Sequence, residues 1–368
     1  MSGGHRPRPL VLELPGVGLE LSFGPGHEAL AAEAAALWAH RADPAATVTA
    51  RRAVRVPGDT PDPGALVIPP GPSAAYQLSG RITRVVIEAL IGTRVLLHAG
   101  AVDHEELGPV LLVGPSGAGK STAVAVLGHG GGYLSDELAI IDPTSRAVTG
   151  FPKPVSRIGP DGVKRDAAPA ALGLRPTVSA DAPERIVLLD RGPTATGTVR
   201  RLPLGEAMPR LIEQTSSLCR VPGGLAALAA LVTRSGGALQ VGYREAEELP
   251  ALLADPPAAH DEDWEELPAG PARPAAEPAG ALTAAPYDQA LVLENGVLVL
   301  ASTRAGHLPG LAGLVWERLR DAGGLDPDQL ESVVAAELGA HPQSRTLLAS
   351  TVDALVRGGW VVSAPRSP

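Results

Sequence analysis

Cysteine is nearly absent. The 368-residue chain has one, Cys219, which excludes an internal disulfide framework and any multi-cysteine metal site. Aromatic residues make up only 3% of a chain that is 45% hydrophobic, so its cores must pack largely with Ala, Leu and Val. Lysine is also rare: Lys120, Lys153 and Lys164 stand against 28 arginines, a bias that fits GC-rich coding better than function. A formal net charge of −9 offers no basic face to a phosphate backbone, so nucleic acid is not an expected partner. No apolar run reaches the ~18 residues a membrane span needs, and no signal peptide opens the sequence. A cytoplasmic chain of two or three domains, without membrane contact, is the expectation; a homo-oligomer is compatible with it.

What is present centres on residues 110–142. Val110–Val113 is an apolar run that reads as a buried strand. Gly114-Pro115-Ser116-Gly117-Ala118-Gly119-Lys120-Ser121 follows, a full match to GxxxxGK[ST], and Thr122–Leu127 continues as a helix. Glycines let the backbone turn tightly with its N–H groups inward, and the helix N-terminus adds partial positive charge. Such a loop holds a nucleoside triphosphate, with Lys120 reaching the β/γ-phosphates and the Ser121 hydroxyl on Mg²⁺. ATP and Mg²⁺ are therefore the expected cofactors.

Tyr133–Asp142 reads as a second strand carrying the adjacent acids Asp136 and Glu137. Beside a triphosphate, one carboxylate can hold metal while the other accepts a proton from an attacking hydroxyl. Upstream, Val95–Val102 is a hydrophobic strand interrupted by His98, which is as readily a satisfied core histidine as a functional one. Downstream, Lys153 in GFPKPVSR stands out because lysine is so rare here, and a solvated turn between two prolines is the plainer reading of it. Arg157, Arg185 and Arg191 are candidates to steady charge on a transferred phosphoryl group, with a surface ion pair the plainer reading of each.

Residues 1–90 read as a separate α+β lobe. Leu10–Leu14 and Val17–Phe23 alternate like half-buried strands, His27–His40 is an amphipathic helix, Thr47–Val56 a third strand and Ser79–Ile91 a helix. The second unit, 91–254, closes with helix, strand and helix at 225–235, 238–243 and 245–253. Residues 255–285, rich in Pro, Ala and acids, read as a disordered linker. Residues 286–368 show two apolar runs about Glu294-Asn295-Gly296, a hairpin signal, then helices at 309–322, 326–338 and 344–357 and a last strand at 360–362.

LLHAGAV, GPSGAGKST and YLSDELAIID, at this spacing, resemble the HPr kinase/phosphorylase family, P-loop serine kinases related to phosphoenolpyruvate carboxykinases. The resemblance covers about residues 95–250. It implies an α/β P-loop kinase core in which Asp136 is the base toward an acceptor hydroxyl and His98 is the histidine before the loop. Glu137 stands as metal ligand where that family has Asp, and the F-x-K-P run, similar to one in relatives of that family, makes Lys153 and Arg157 possible contacts for phosphate or acceptor. No counterpart of its downstream phosphorolysis signature is present, so removal of phosphate is not expected.

GHLPGLAGLVWERL and the later DALVRGGWV ending resemble the PqqD-like family, the winged-helix recognition elements of ribosomal-peptide biosynthesis, over about residues 286–365. That resemblance implies a cleft in which a leader peptide adds as a strand to the edge strand 297–302 (Val297, Leu298, Val299, Leu300). The peptide would pack on the helix 347–355 through Leu348, Val352 and Leu355. Together the two resemblances imply an ATP-dependent kinase acting on a Ser or Thr hydroxyl of a precursor peptide, its leader held by a module on a flexible tether. Other enzymes of the same pathway would be further partners. A small-molecule or other-protein kinase, and an ATP-dependent peptide-presenting switch, are the alternatives.

Overall fold

The alternating leucines of residues 10–23 form a hairpin, β1 (Leu10–Leu14) with β2 (Val17–Phe23), that turns Leu12, Leu14, Leu19 and Leu21 inward. In the computed structural model the described residues are 7–58, 63–192, 195, 197–259, 262–268, 281–339 and 341–363. They make a mixed α/β protein with several sheets and nine α-helices, none long and apolar enough to cross a membrane. After α1 (Glu28–Leu37), β3 (Ala50–Arg55) and β4 (Leu66–Val67) extend the first sheet in parallel. Next, α2 (Ala74–Leu90) starts ahead of the expected Ser79, because Ala74, Ala75 and Leu78 bury as one stripe with Ile82, Val85 and Val86.

The middle of the chain runs β5 (Val95–Leu97), β6 (Ala99–His104), β7 (Gly108–Val113), α3 (Lys120–Gly128), β8 (Gly131–Ser135), β9 (Ala139–Ile141) and β10 (Val148–Thr149). It continues through β11 (Val155–Ile158), β12 (Lys164–Ala167), β13 (Arg175–Pro176), β14 (Ser179–Ala180), β15 (Arg185–Arg191) and β16 (Thr198–Leu202). Then come α4 (Leu204–Ile212), α5 (Gly224–Arg234), β17 (Ala238–Tyr243) and α6 (Leu249–Ala254). A seven-stranded sheet, ordered β13-β8-β6-β7-β15-β17-β16, has α3 and α6 in the core on one face and α4 and α5 in the core on the other.

Two sequence readings are corrected here. The apolar runs expected as single strands, 95–102 and 133–142, are each two. β6 pairs with β8 in the large sheet, while β5 pairs with β9 in a four-stranded sheet with β10 and β14. The paired strands change sheets together, at His98 on one and at 136–138 on the other. Hydrophobic periodicity is blind to this bend, because the strands are buried on both sides of it. Leu96, Leu138, Ile140 and Phe151 then join the core of the first lobe, so that lobe is not a separate body.

The last third is also docked, not tethered. β18 (Trp264–Leu267) falls inside the stretch read as disordered linker, yet it pairs with the first strand of the hairpin; 260–261 and 269–280 lie outside the described residues. After β19 (Leu282–Ala284), the hairpin is β20 (Gln289–Leu293) and β21 (Gly296–Ala301), and β22 (Arg304–Pro309) adds to β21. Three helices follow, α7 (Leu311–Ala322), α8 (Pro327–Leu338) and α9 (Ser344–Arg357), then β23 (Val361–Ser363), which pairs with β19. The sheet order is β18-β20-β21-β22.

Both faces of this sheet are covered. Val297, Val299 and Leu308 pack with Val315, Trp316 and Leu355 from α7 and α9. Leu291, Leu293, Leu298 and Leu300 share one core with α4 and α5. At roughly 1.5–3 kcal/mol for each buried leucine, that face holds the module firmly against the large sheet's helices. Polar ties agree. The Glu262 carboxylate accepts from the Leu204 N–H at the start of α4, Trp264 Nε1 donates to Thr233 Oγ1, and Gln289 bridges Val221 and Leu225.

Candidate functional site

The Gly114–Ser121 loop leaves β7 and enters α3, as the motif requires. Gly117 and Gly119 have φ of +90° and +88°, a region that glycine adopts freely. A Cβ at Gly117 would meet nothing within 4 Å, so this stretch faces open space; one at Gly119 would stand 2.7 Å from Tyr243 Oη. Tyr243 donates to the Ala118 carbonyl at 2.7 Å and props the loop from the β17 side. Lys120 Nζ donates to the Gly114 and Pro115 carbonyls at 2.6 and 3.2 Å. Burial lowers its pKa, against the smaller upward pull of Glu137 and Asp136.

Across from the loop is the bend between sheets. Asp136 is buried, and its Oδ2 accepts from Ser121 Oγ and from the Ser156 N–H, both at 3.1 Å. Lys153 Nζ stands 3.2 Å from Asp136 Oδ1 and 3.2 Å from Glu137 Oε2. Lys153 is 1% exposed, so the reading of a solvated turn is overturned. Its ammonium is engaged by the Asp136 and Glu137 carboxylates. Burial pulls its pKa down, but Asp136, Glu137 and Asp166 outweigh that and raise it well above the ordinary lysine value. Burial pushes Glu137 up, yet Lys153, His98 and the Thr83 hydroxyl together bring it below the usual carboxylate value.

His98 lies at the same bend, its backbone N–H bonded to the Gln214 carbonyl at 2.7 Å. Burial, then the nearby Lys120 charge, holds its pKa below 6.5, against the opposing pull of Glu137 and Asp136. The ring is thus neutral at pH 7 and feels the same charges as the loop lysine. The fold therefore brings together Lys120, Ser121, Asp136, Glu137 and His98, five residues chosen from sequence.

The arginines separate. Arg185 sits at the far end of β15, bonded to the Leu107 and Leu253 carbonyls, and plays a structural part there. Arg191 is at the loop end of that strand but is held by the Arg244 carbonyl and Glu245. Arg157 pairs with Arg165 through its backbone, while its exposed side chain has no hydrogen-bond or ion-pair partner among the described residues.

Several participants were not legible beforehand. Thr83 on α2 approaches Glu137 Oε2 at 3.4 Å, and Tyr133 Oη lies 2.7 Å from the Lys153 carbonyl and 3.4 Å from Asp136 Oδ1. Asp166 on β12 accepts from Ser156 Oγ at 2.9 Å; burial raises its pKa. His40 of the first lobe bonds the Pro152 carbonyl, next to Lys153. None carries a local sequence signal, because each reaches the site through a tertiary contact.

Among the described residues no three or more His, Cys, Asp or Glu side chains are grouped to hold a metal. One hydroxyl with one or two carboxylates is nonetheless the hard-oxygen set that suits Mg²⁺, which is held largely by its nucleotide. Ser121 with Asp136 and Glu137 fits that requirement.

The residues expected to form a peptide cleft are placed otherwise. Val297, Leu298, Val299 and Leu300 lie on β21, which is central in its sheet, so they cannot be an edge. Leu348 and Leu355 are buried in the module's core and Val352 packs on it. Among the described residues the edges of this sheet are β18 and β22, and on β22 the alternation of bonded pairs turns the backbone groups of Ala305 and His307 outward. No protein-family model matches the chain, and no curated protein matches it.

Proposed function

We propose that this protein is an ATP-dependent kinase of the HPr kinase-like P-loop type, which phosphorylates a Ser or Thr hydroxyl of a ribosomally made precursor peptide. The observation that carries the reading is the convergence of Lys120 and Ser121 with Asp136, Glu137 and His98 at one bend. Ser121 Oγ and Asp136 Oδ2 are 3.1 Å apart, so the loop and the acid belong to one site.

On this reading the loop N–H groups and Lys120 bind and orient the triphosphate. Ser121 and Glu137 would hold Mg²⁺, which would supply neutralisation of phosphate charge. Asp136 accepts the proton of the acceptor hydroxyl as its oxygen attacks the γ-phosphorus in line, and the bond to the β,γ-bridging oxygen breaks to release ADP. Neutral His98 can donate a hydrogen bond to an oxygen of the transferring group without adding a full charge. Lys153 balances the two acids and fixes Asp136.

The C-terminal module, read as a PqqD-like winged helix, would hold the leader. The leader would add to the edge strand β22, and α9 exposes Leu347 and Val356. Because the module is docked, leader capture raises the local concentration of acceptor at a fixed distance. Incubating the full chain with ATP-Mg²⁺ and a precursor peptide tests this, with the same peptide lacking its leader as a comparison. The absence of both transfer and leader binding would point instead to a small-molecule acceptor. Leader binding without transfer would point to a switch.

A further inference from the structure

β11 and β12 form a ribbon of their own, with no other strand paired to either among the described residues. Its register sets Ser156 opposite Asp166 and Arg157 opposite Arg165. The Ser156 N–H points away from β12, because it donates to Asp136 Oδ2. The Gly159 N–H closes the ribbon onto the Val163 carbonyl, which fixes the alternation. The Ser156 carbonyl and the Ile158 N–H therefore lie on the outer edge of β11, and no partner meets them among the described residues. This open edge begins at the carboxylate of Asp136.

Two side chains add to the argument. Ile158 is 69% exposed, unusual for so large an apolar residue. Arg157 and Arg165 face each other across the ribbon, a like-charge pair that is unfavourable unless neutralised. Arg165 is, by both oxygens of Asp161 at 2.9 and 2.6 Å; Arg157 is not.

We infer that the outer edge of β11 is the docking strand for the acceptor segment, an extended peptide carrying an acidic residue next to the hydroxyl residue. This rests on the kinase reading above and adds the substrate's conformation and charge. A peptide residue paired with Ile158 is one pleat, about 7 Å, from Asp136 along the edge. The acceptor residue two places on then sits at Asp136, and the residue between them lies opposite Arg157. An acidic side chain there completes the charge that Asp161 supplies to Arg165.

The test is phosphate incorporation from labelled ATP into a synthetic library of Ser-centred peptides with degenerate flanks, at high peptide concentration. The wild-type chain should select Asp or Glu beside the acceptor by about tenfold, the size of one charge-assisted hydrogen bond. Arg157→Glu should invert that selection toward Lys or Arg. Ile158→Pro, which deletes one edge N–H at the ribbon tip, should raise KM for peptide while KM for ATP holds. Incorporation without acidic selection, or selection indifferent to Arg157→Glu, overturns the docking edge and leaves the kinase. An effect of Arg157→Glu on KM for ATP alone also overturns it, assigning Arg157 to the nucleotide. No incorporation into any peptide by the wild-type chain overturns both readings.

Discussion

Lys153 is tied to Asp136 at 3.2 Å, with both side chains almost wholly out of water. One of only three lysines in the chain is thus spent on holding a carboxylate at the bend between two sheets. The pair cannot be judged as surface ion pairs are, since removing one partner leaves a buried charge uncompensated.

Lys153→Met should therefore destabilise the chain by about 3–5 kcal/mol in urea unfolding. Adding Asp136→Asn and Glu137→Gln to it should recover part of that loss, because the stranded charges go with it. A loss below about 1 kcal/mol for Lys153→Met alone would mean that water reaches the cluster.

Stability should also fall as the solution is acidified. Burial holds the pKa of His40, His98 and His307 below 6.5, more than offsetting the bond from Pro152 in the case of His40. These rings are neutral in the folded chain, while the unfolded chain takes up protons near 6.5. The unfolded state then binds more protons, so stability is full above that pH and is lost as pH falls through the folded values. Thermal denaturation from neutral pH to about pH 5.5 checks the sign. His98→Asn should flatten the slope, and a midpoint that rises on acidification would contradict the assignment.

The docked module gives a third expectation. A chain ending at residue 254 uncovers the apolar face of α4 and α5 that Leu291, Leu293, Leu298 and Leu300 now cover. It should bind a hydrophobic dye and sediment as aggregates, whereas a tethered arrangement would leave it monomeric. Within the full chain, Leu298→Ala should cost about 2–5 kcal/mol.

Much of the site could be read from sequence because its signals are local. The loop from Gly114 to Ser121 needs glycine where φ is positive, and Asp136-Glu137 is an unusual pair inside an apolar run. Lys153 stood out by rarity, but its burial did not, since nothing adjacent to it reports the carboxylates that surround it. The bend at His98 escaped because both strand halves are apolar. The order β18-β20-β21-β22 escaped for a different reason: β18 is a polar WEEL segment whose pairing is decided by the partner strand. A hairpin signal locates two strands without saying which becomes the edge.

The nucleotide loop makes its own claim. Lys120→Ala should weaken binding of a fluorescent ATP analogue by at least tenfold while leaving the unfolding midpoint within a few degrees, since among the described residues the Lys120 ammonium bonds only its own loop's carbonyls. Tyr243→Phe should weaken it less, through a loosened Ala118. Equal affinity in Lys120→Ala would remove the triphosphate from this loop.

The most direct measurement is mass spectrometry of the precursor peptide after incubation with the protein and ATP-Mg²⁺, beside Asp136→Asn with its nucleotide affinity checked. The account expects the peptide to gain one phosphoryl group on a Ser or Thr with the wild-type chain and none with Asp136→Asn. An unmodified peptide despite leader binding, or equal phosphorylation by Asp136→Asn, would contradict it.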